Sequence, residues 1–261
     1  MIFKNIYNKL HAILNQSFLC SVCNKKTHLF LPLSNFFIEN LEKYGYIYSL
    51  DDAETLNYKA YSCPSCGASD RDRLYAVFIS KYLKQRKYPN ITLLDIAPSA
   101  PLGNHLKSIG NISLRTADLM MKGVDDCVDI TNMSCYADEK FDFLICSHVL
   151  EHVPDDLKAM SELYRILKPN GCGILMVPIL LALDQIDEDP FLEDVGERWR
   201  RFGQDDHVRM YSKNGFVSRL ESVGFIVRQY TRDYFGSEVF HKYGISDKSV
   251  LYIVEKPLSS G

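Results

Sequence analysis

The stretch FDFLICSHVLEHVPDDLKAMSELYRILKPNGCGILMVP, residues 141–178, decides the architecture. It opens on an apolar run, FDFLICS, which reads as a buried strand over 141–147. Asp155 then supplies a helix cap, and Leu157, Met160, Leu163, Ile166 and Leu167 recur at helical spacing, so a helix is expected over 155–167. Pro169-Asn-Gly171 is expected to stop that helix, and CGILMVP supplies a second apolar strand over 172–178. A strand, a helix and a strand in this order make a parallel unit whose helix covers one face of a sheet.

Working outward, the alternation recurs on both sides. Strands are expected at 91–96 (ITLLDI) and 112–117, then at 225–230 and 249–255 (SVLYIVE), with a helix over 212–223. Apolar strands alternating with helices imply an α/β fold with a mostly parallel sheet covered on both faces. At KQRKYPN (84–90) the composition changes, with cysteine pairs and aromatics before it and strand–helix alternation after it. The expected organisation is an N-terminal module over 1–88 and an α/β domain over 89–257, the latter carrying a lid-like insertion over 179–211. A short tail over 258–261 follows. No internal repeat or low-complexity segment interrupts the pattern.

The 261 residues, 46% of them hydrophobic, suffice for one sizeable core plus an appendage. Thirty basic residues against 33 acidic ones leave a net charge of −3, so no global positive field recruits nucleic acid or anionic membrane. No stretch approaches the ~18–20 apolar residues of a membrane span. In the opening MIFKNIYNKLHAILNQSF, polar residues interrupt the apolar run and no small-residue cleavage site follows. Its Ile2, Phe3, Ile6, Tyr7, Leu10, Ile13 and Leu14 instead suggest an amphipathic docking helix, and a cytoplasmic location is expected.

Four of eight cysteines form two pairs, Cys20-Ser-Val-Cys23 and Cys63-Pro-Ser-Cys66, 39 residues apart. Each C-x2-C turn presents two thiolates, and two such turns complete a tetrahedral zinc site. A structural Zn2+ on Cys20, Cys23, Cys63 and Cys66 is therefore expected; a redox pair or four buried thiols are the alternatives. A closed four-thiolate shell leaves no position for substrate, so no catalysis is assigned to it. Cys127, Cys135, Cys146 and Cys172 are scattered singly and read as small hydrophobes.

In an open parallel sheet, ligands bind beyond the carboxyl ends of the strands. Asp95 ends the first strand of the α/β domain, Asp118 follows the second, and Asp129 stands where a third would end. An acid after the second strand suits the two hydroxyls of a ribose, and Asp129 suits an exocyclic amine, so a nucleoside-type cofactor fits the trio. Each carboxylate alone also reads as a cap or loop residue.

These residues carry a resemblance. Residues 91–178 resemble the core of class I S-adenosylmethionine-dependent methyltransferases, in the group typified by FDxxxxxxxLEHV and RxLKPxG. Here the motifs stand as FDFLICSHVLEHVPDD (141–156) and YRILKPNGCGILMVP (164–178). The resemblance implies a Rossmann-like seven-stranded sheet whose last strand runs antiparallel, with S-adenosylmethionine as cofactor. It implies cofactor contacts from the loop after Asp95, from Asp118 to the ribose, and from Asp129 and Ile130 around the adenine, with Ser147 ending the neighbouring strand. The first loop departs from the usual D/E-x-G-x-G-x-G. It reads Asp95-Ile-Ala97-Pro98-Ser99-Ala100-Pro101, whose two prolines remove donors and fix φ. Ala97 then serves as the small residue and Ser99 as a hydroxyl donor. A loop that failed to hold cofactor would leave a non-catalytic binding module. The front end SCPSCGASDRDRL (62–74) and GQDDHVRMY (203–211) resemble a narrower group associated with bacterial surface-polysaccharide biosynthesis.

Methyl transfer from a sulfonium chiefly requires bringing nucleophile and methyl carbon together. A hydroxyl acceptor also needs a base, and histidine suits that role. His207 is the first candidate, with Asp206 as its orienting carboxylate, and His148, just past the strand end at Ser147, is the second. Glu151 and His152 follow on the next turn, where a histidine also commonly satisfies a neighbouring backbone group. Residues 184–197 carry seven acids and no base, before Arg198, Trp199, Arg200 and Arg201. Read as a lid, this segment offers Trp199 for stacking on a sugar, and Arg198, Arg201 and Arg209 for a phosphate. A solvated loop with internal ion pairs is the alternative, and the basic stretch Arg71–Lys87 reads as a helical surface. The expected function is O-methylation of a carbohydrate or phosphorylated small-molecule precursor of a surface polysaccharide. RNA or protein methylation is the alternative within enzymes.

Overall fold

The computed structural model describes residues 17–85 and 90–258. The amphipathic helix expected near the N-terminus and nearly all of the tail lie outside them. The N-terminal part holds a two-stranded ribbon, β1 (Phe18–Leu19) and β2 (Lys26–Thr27), then helices α1 (Asn35–Lys43) and α2 (Asp70–Gln85). Then come β3 (Ile91–Ile96), α3 (Ala100–Lys107), β4 (Ile112–Asp118), β5 (Asp126–Cys127), β6 (Phe141–Ser147), α4 (Asp156–Ile166) and β7 (Leu167–Met176). The inserted segment carries β8 (Asp187–Glu188), α5 (Val195–Phe202) and β9 (Arg209–Met210). The chain closes with α6 (Lys213–Ser222), β10 (Ile226–Tyr230), α7 (Arg232–Phe235), α8 (Ser237–Tyr243) and β11 (Leu251–Glu255).

Seven strands form the central sheet in the order β10-β11-β7-β6-β3-β4-β5. From β7 to β5 every pairing is parallel, and β11 enters antiparallel between β10 and β7. Strand order reverses between β3 and β6, and this is where an open α/β sheet leaves its ligand crevice. The sheet interior is made by Leu93, Leu94, Leu144, Ile145, Ile174 and Leu175, all with essentially no exposure.

Two local expectations are corrected. Leu157 is 42% exposed, because the buried stripe of α4 runs through Asp156, Ala159, Met160, Leu163 and Ile166, and Leu157 lies to one side of it. Pro169-Asn-Gly171 does not stop a helix. The helix already ends at Ile166, and β7 runs through the tripeptide with Asn170 in the left-handed region (φ 63°) and its N–H donated to the Lys256 carbonyl. A Cβ on Gly171 would sit 2.7 Å from the Lys168 carbonyl oxygen, so only glycine fits this bend.

The N-terminal part shares its core with the sheet. Ser69 and Asp72 cap α2 reciprocally: the Ser69 hydroxyl accepts from the Asp72 N–H, and the Asp72 carboxylate accepts from the Ser69 N–H. Leu74, Tyr75, Phe78 and Ile79 of α2 join the same hydrophobic cluster as the strands. The start of this helix is no basic surface, since Arg73 is fully buried. Among the described residues no helix is long and apolar enough to cross a membrane.

Candidate functional site

The crevice lies past the ends of β3 and β6. Both strands leave the sheet through a residue in the left-handed region, Ala97 (φ 53°) and His148 (φ 58°). Each conformation costs a side-chain-bearing residue about 1 kcal/mol, and such strain collects at functional sites. Backbone bonds hold both turns: the Ala97 N–H donates to Ala117 and the His148 N–H to Met176.

Three cavities converge here, and His148 lies on the wall of all three. The first, of about 300 Å³, is lined by Asp95, Ala97, Ser99 and Ser147 together with Asp72 and Tyr75. The second, of about 590 Å³, is lined by Ala97, Asp118, Asp129, Ile130 and Thr131. The third, of about 330 Å³, opens among Phe37, Leu41, Ala53, Leu180 and Met210, with Glu151 and His207 on its polar wall.

Asp95 is buried, and its Oδ2 has no hydrogen-bond partner among the described residues. Burial, and then the nearby Asp72 charge, push its carboxyl well above the usual carboxylate range. A cationic ligand group would relieve both penalties. Asp118 accepts the N–H groups of Met120 and Met121 at 2.7 Å through Oδ1, and Asp129 accepts from Thr131 N at 2.7 Å and Oγ1 at 2.8 Å. Each acid thus braces its own turn through one oxygen at the edge of the large cavity. Ser99 is placed differently from expectation. It caps α3 and donates its hydroxyl to Asp72 at 2.9 Å, so its hydrogen is already used. Ser147 pairs with the Tyr75 hydroxyl at 2.8 Å.

Polar groups gather where the third cavity meets the crevice. Arg71 holds His148 Nε2, and His148 Nδ1 comes within 3.1 Å of Glu151 Oε1 without hydrogen-bond alignment. Burial and the Arg71 cation pull His148 down to about 4. At Glu151 burial is outweighed by the surrounding rings of His148, His207 and His152, which hold the carboxyl at about 2. His207 is buried, with Nδ1 3.0 Å from the Phe202 carbonyl, and burial lowers it. Asp206 does not orient His207. Its carboxylate lies 3.1 Å from His152 Nδ1, because adjacent side chains leave the backbone in different directions. That carboxylate outweighs burial at His152 and raises it. Glu151 is the residue whose centrality the sequence hid, although its spacing from His148 and His152 places all three on one turn.

The inserted segment is not an open lid. Trp199 is 3% exposed and packs against Tyr44, Phe36 and Phe37, with the Tyr44 ring stacked at 6.1 Å, so it presents no face to a sugar. Arg201 pairs with Asp187 at 2.5 Å, and Arg198 donates to the carbonyls of Leu192 and Asp205. Arg209 is 1% exposed; it donates to the carbonyls of Leu150, Val153 and Pro154 and pairs with Glu188 at 3.0 Å. It therefore fixes the turn that carries Glu151 and His152 instead of meeting a phosphate. Within the acidic run, Asp187 and Asp189 pair with Arg201, Glu197 with Arg200, and Glu188 with Arg209 and Arg219.

The four paired cysteines do meet. Sγ atoms of Cys20 and Cys66 lie 3.8 Å apart, those of Cys23 and Cys63 3.9 Å, and all four fall within 4.8 Å of one another. A tetrahedron with metal–sulfur bonds of about 2.3 Å has edges of about 3.8 Å, so the thiols fit a zinc ion.

A family model described as a methyltransferase domain matches residues 75–230, more than half of the chain. The curated ubiquinone biosynthesis O-methyltransferase of Actinobacillus pleuropneumoniae serotype 7 is 35% identical over 82 residues, 31% of this chain and 33% of that protein. The match thus spans about a third of the length of that relative. Among solved structures, a SAM-dependent methyltransferase from Archaeoglobus fulgidus has a TM-score of 0.46 at 13% identity, covering 72% of this chain and 95% of that one. One from Methanosarcina mazei has a TM-score of 0.45 at 14% identity, covering 68% and 98%.

Proposed function

Since the chain belongs to the methyltransferase-domain family, we propose that it transfers the methyl group of S-adenosylmethionine to a hydroxyl oxygen on a largely apolar small molecule. One observation carries this reading: His148 borders all three cavities, so the crevice for the donor adjoins a separate, mainly apolar space that ends in polar side chains. Asp95 holds the donor's ammonium group, Asp118 its ribose, and Asp129 with Ile130 its adenine. Bound there, the sulfonium supplies an electrophilic methyl carbon. The chain's own part is to align an acceptor oxygen with that carbon and to keep water out through Leu41, Ala53, Leu180 and Met210. The oxygen meets Glu151 and His207 at the cavity's polar end. The O-methyltransferase name of the partial relative supports oxygen as acceptor.

A sugar or sugar-phosphate acceptor from surface-polysaccharide synthesis draws no support from this cavity. Trp199, Arg198, Arg201 and Arg209, the groups that suggested it, are buried or paired elsewhere. A structural Zn2+ on the four cysteines completes the reading, tying two distant turns together without a chemical role. The test uses S-adenosylmethionine labelled in its methyl group, offered with the organic-soluble and the water-soluble fractions of a cell extract. Base-stable label in an organic-soluble ether is expected. Label confined to water-soluble sugars would overturn the choice of acceptor.

A further inference from the structure

We propose that Glu151, His152 and His207 bind one divalent transition-metal ion, zinc-like in its ligand preference, at the polar end of the acceptor cavity. The proposal rests on that cavity being the acceptor's. One ligand atom from each of the three residues lies within 4.8 Å of the other two, a spacing that closes onto a shared ion with small side-chain movements.

Hydrogen bonding fixes which atoms are offered. His207 Nδ1 faces the Phe202 carbonyl, which only accepts, so Nδ1 carries the hydrogen and Nε2 keeps its lone pair. That Nε2 lies 4.0 Å from Glu151 Oε1. His152 Nδ1 faces the Asp206 carboxylate, which leaves its Nε2 as the donor atom. An imidazole braced through Nδ1 by a carbonyl or a carboxylate is the usual outer support of a metal-bound histidine. The two rings stand edge to face with centroids 4.6 Å apart. Glu151 supplies the third reason. Its side chain is wholly buried, His148 Nδ1 stands 3.1 Å from Oε1 without hydrogen-bond alignment, and neither oxygen has an aligned hydrogen-bond partner among the described residues. A buried carboxylate left this way is costly, and a cation is what removes the cost. Arg71 is committed to His148 and Tyr61, and Arg209 to the carbonyls of Leu150, Val153 and Pro154.

Two imidazoles and a carboxylate suit zinc and its neighbours better than magnesium or calcium, which prefer oxygen alone. Three protein ligands leave a position open, unlike the closed four-thiolate cluster. His207 and Glu151 line the acceptor cavity, and His152 lines both this cavity and the cofactor crevice, so an ion has a route in. An acceptor hydroxyl at the open position would lose its proton to solvent more readily. Its electron pair would then form the carbon–oxygen bond as the sulfur–methyl bond breaks, releasing S-adenosylhomocysteine.

The experiment counts zinc by elemental analysis in the full chain after equilibration with Zn2+ and removal of the excess. Wild type is expected to hold one more zinc ion per chain than His152→Gln or Glu151→Gln. His152 is only partly buried, so its variant keeps the fold, which a thermal melt verifies. Equal counts in wild type and His152→Gln would overturn the proposal. Calorimetry with S-adenosylhomocysteine on the same samples separates the two readings. Binding in both with equal zinc removes the metal alone, whereas no binding in wild type removes the methyltransferase site on which the proposal rests.

Discussion

Replacing Asp118 by alanine is expected to weaken S-adenosylhomocysteine binding about 100-fold while shifting stability by no more than about 1 kcal/mol. Asp118 ends β4, and its Oδ1 is fixed by the N–H groups of Met120 and Met121, so the carboxylate is preorganised beside the 590 Å³ cavity. Two ribose hydroxyls donating to a charged acceptor contribute about 1.5 kcal/mol each, which together make the two decades. Asp118→Asn keeps an acceptor for the turn but loses the charge, and should fall between. Calorimetry reads the effect; wild-type affinity in Asp118→Ala would remove this residue from the cofactor's contacts.

The other large effect belongs to Arg73. Its Nε donates to Tyr243 at 2.6 Å, Nη1 to Tyr61 at 2.9 Å and Ala68 at 3.0 Å, and Nη2 to Ala60 at 2.8 Å and Gly244 at 3.1 Å. The guanidinium also lies over the Phe30 ring at 3.7 Å. One buried side chain therefore ties the cysteine-bearing segment to the α8 region, and truncating it strands several buried carbonyls at once. Arg73→Ala should cost about 4 kcal/mol and lower the melting temperature by about 10 °C. Arg73→Lys should recover little, because a single ammonium cannot reach five acceptors arranged for a planar fork. A melting temperature within about 2 °C of wild type would show that the carbonyls find other donors. Gly244 belongs to the same knot: it sits at φ 62°, and a Cβ there would lie 2.4 Å from the Phe30 ring.

Much of the sheet was legible because its strands are apolar runs with sharp polar ends. Residues 91–96 and 141–147 are strands over the spans read from the sequence, and their ends place Asp95, Ala97, Ser147 and His148 at the crevice. The seven-stranded order, by contrast, came only through resemblance, since periodicity says nothing of which strands are neighbours. The strand through Pro169-Asn-Gly171 was hidden because those residues are turn formers, and pairing with the chain around Lys256 overrides that preference. Arg73 was hidden in a charged run, where composition favours solvent, and only the carbonyls collected around it reverse that choice. Trp199 was misplaced because its partners, Phe36, Phe37 and Tyr44, stand more than 150 residues away. The third cavity draws on residues 33–71, 148–152, 178–180 and 202–210, a set that no local pattern connects.

A crystal structure with S-adenosylhomocysteine bound would decide the matter. The adenosine is expected between Asp118 and Asp129 and the amino end of the homocysteine at Asp95. The sulfur should lie beside His148, facing the cavity of Glu151 and His207. A ligand seated away from the Ala97–His148 crevice, or a sulfur walled off from that cavity, would contradict both the donor site and the path proposed for the methyl group.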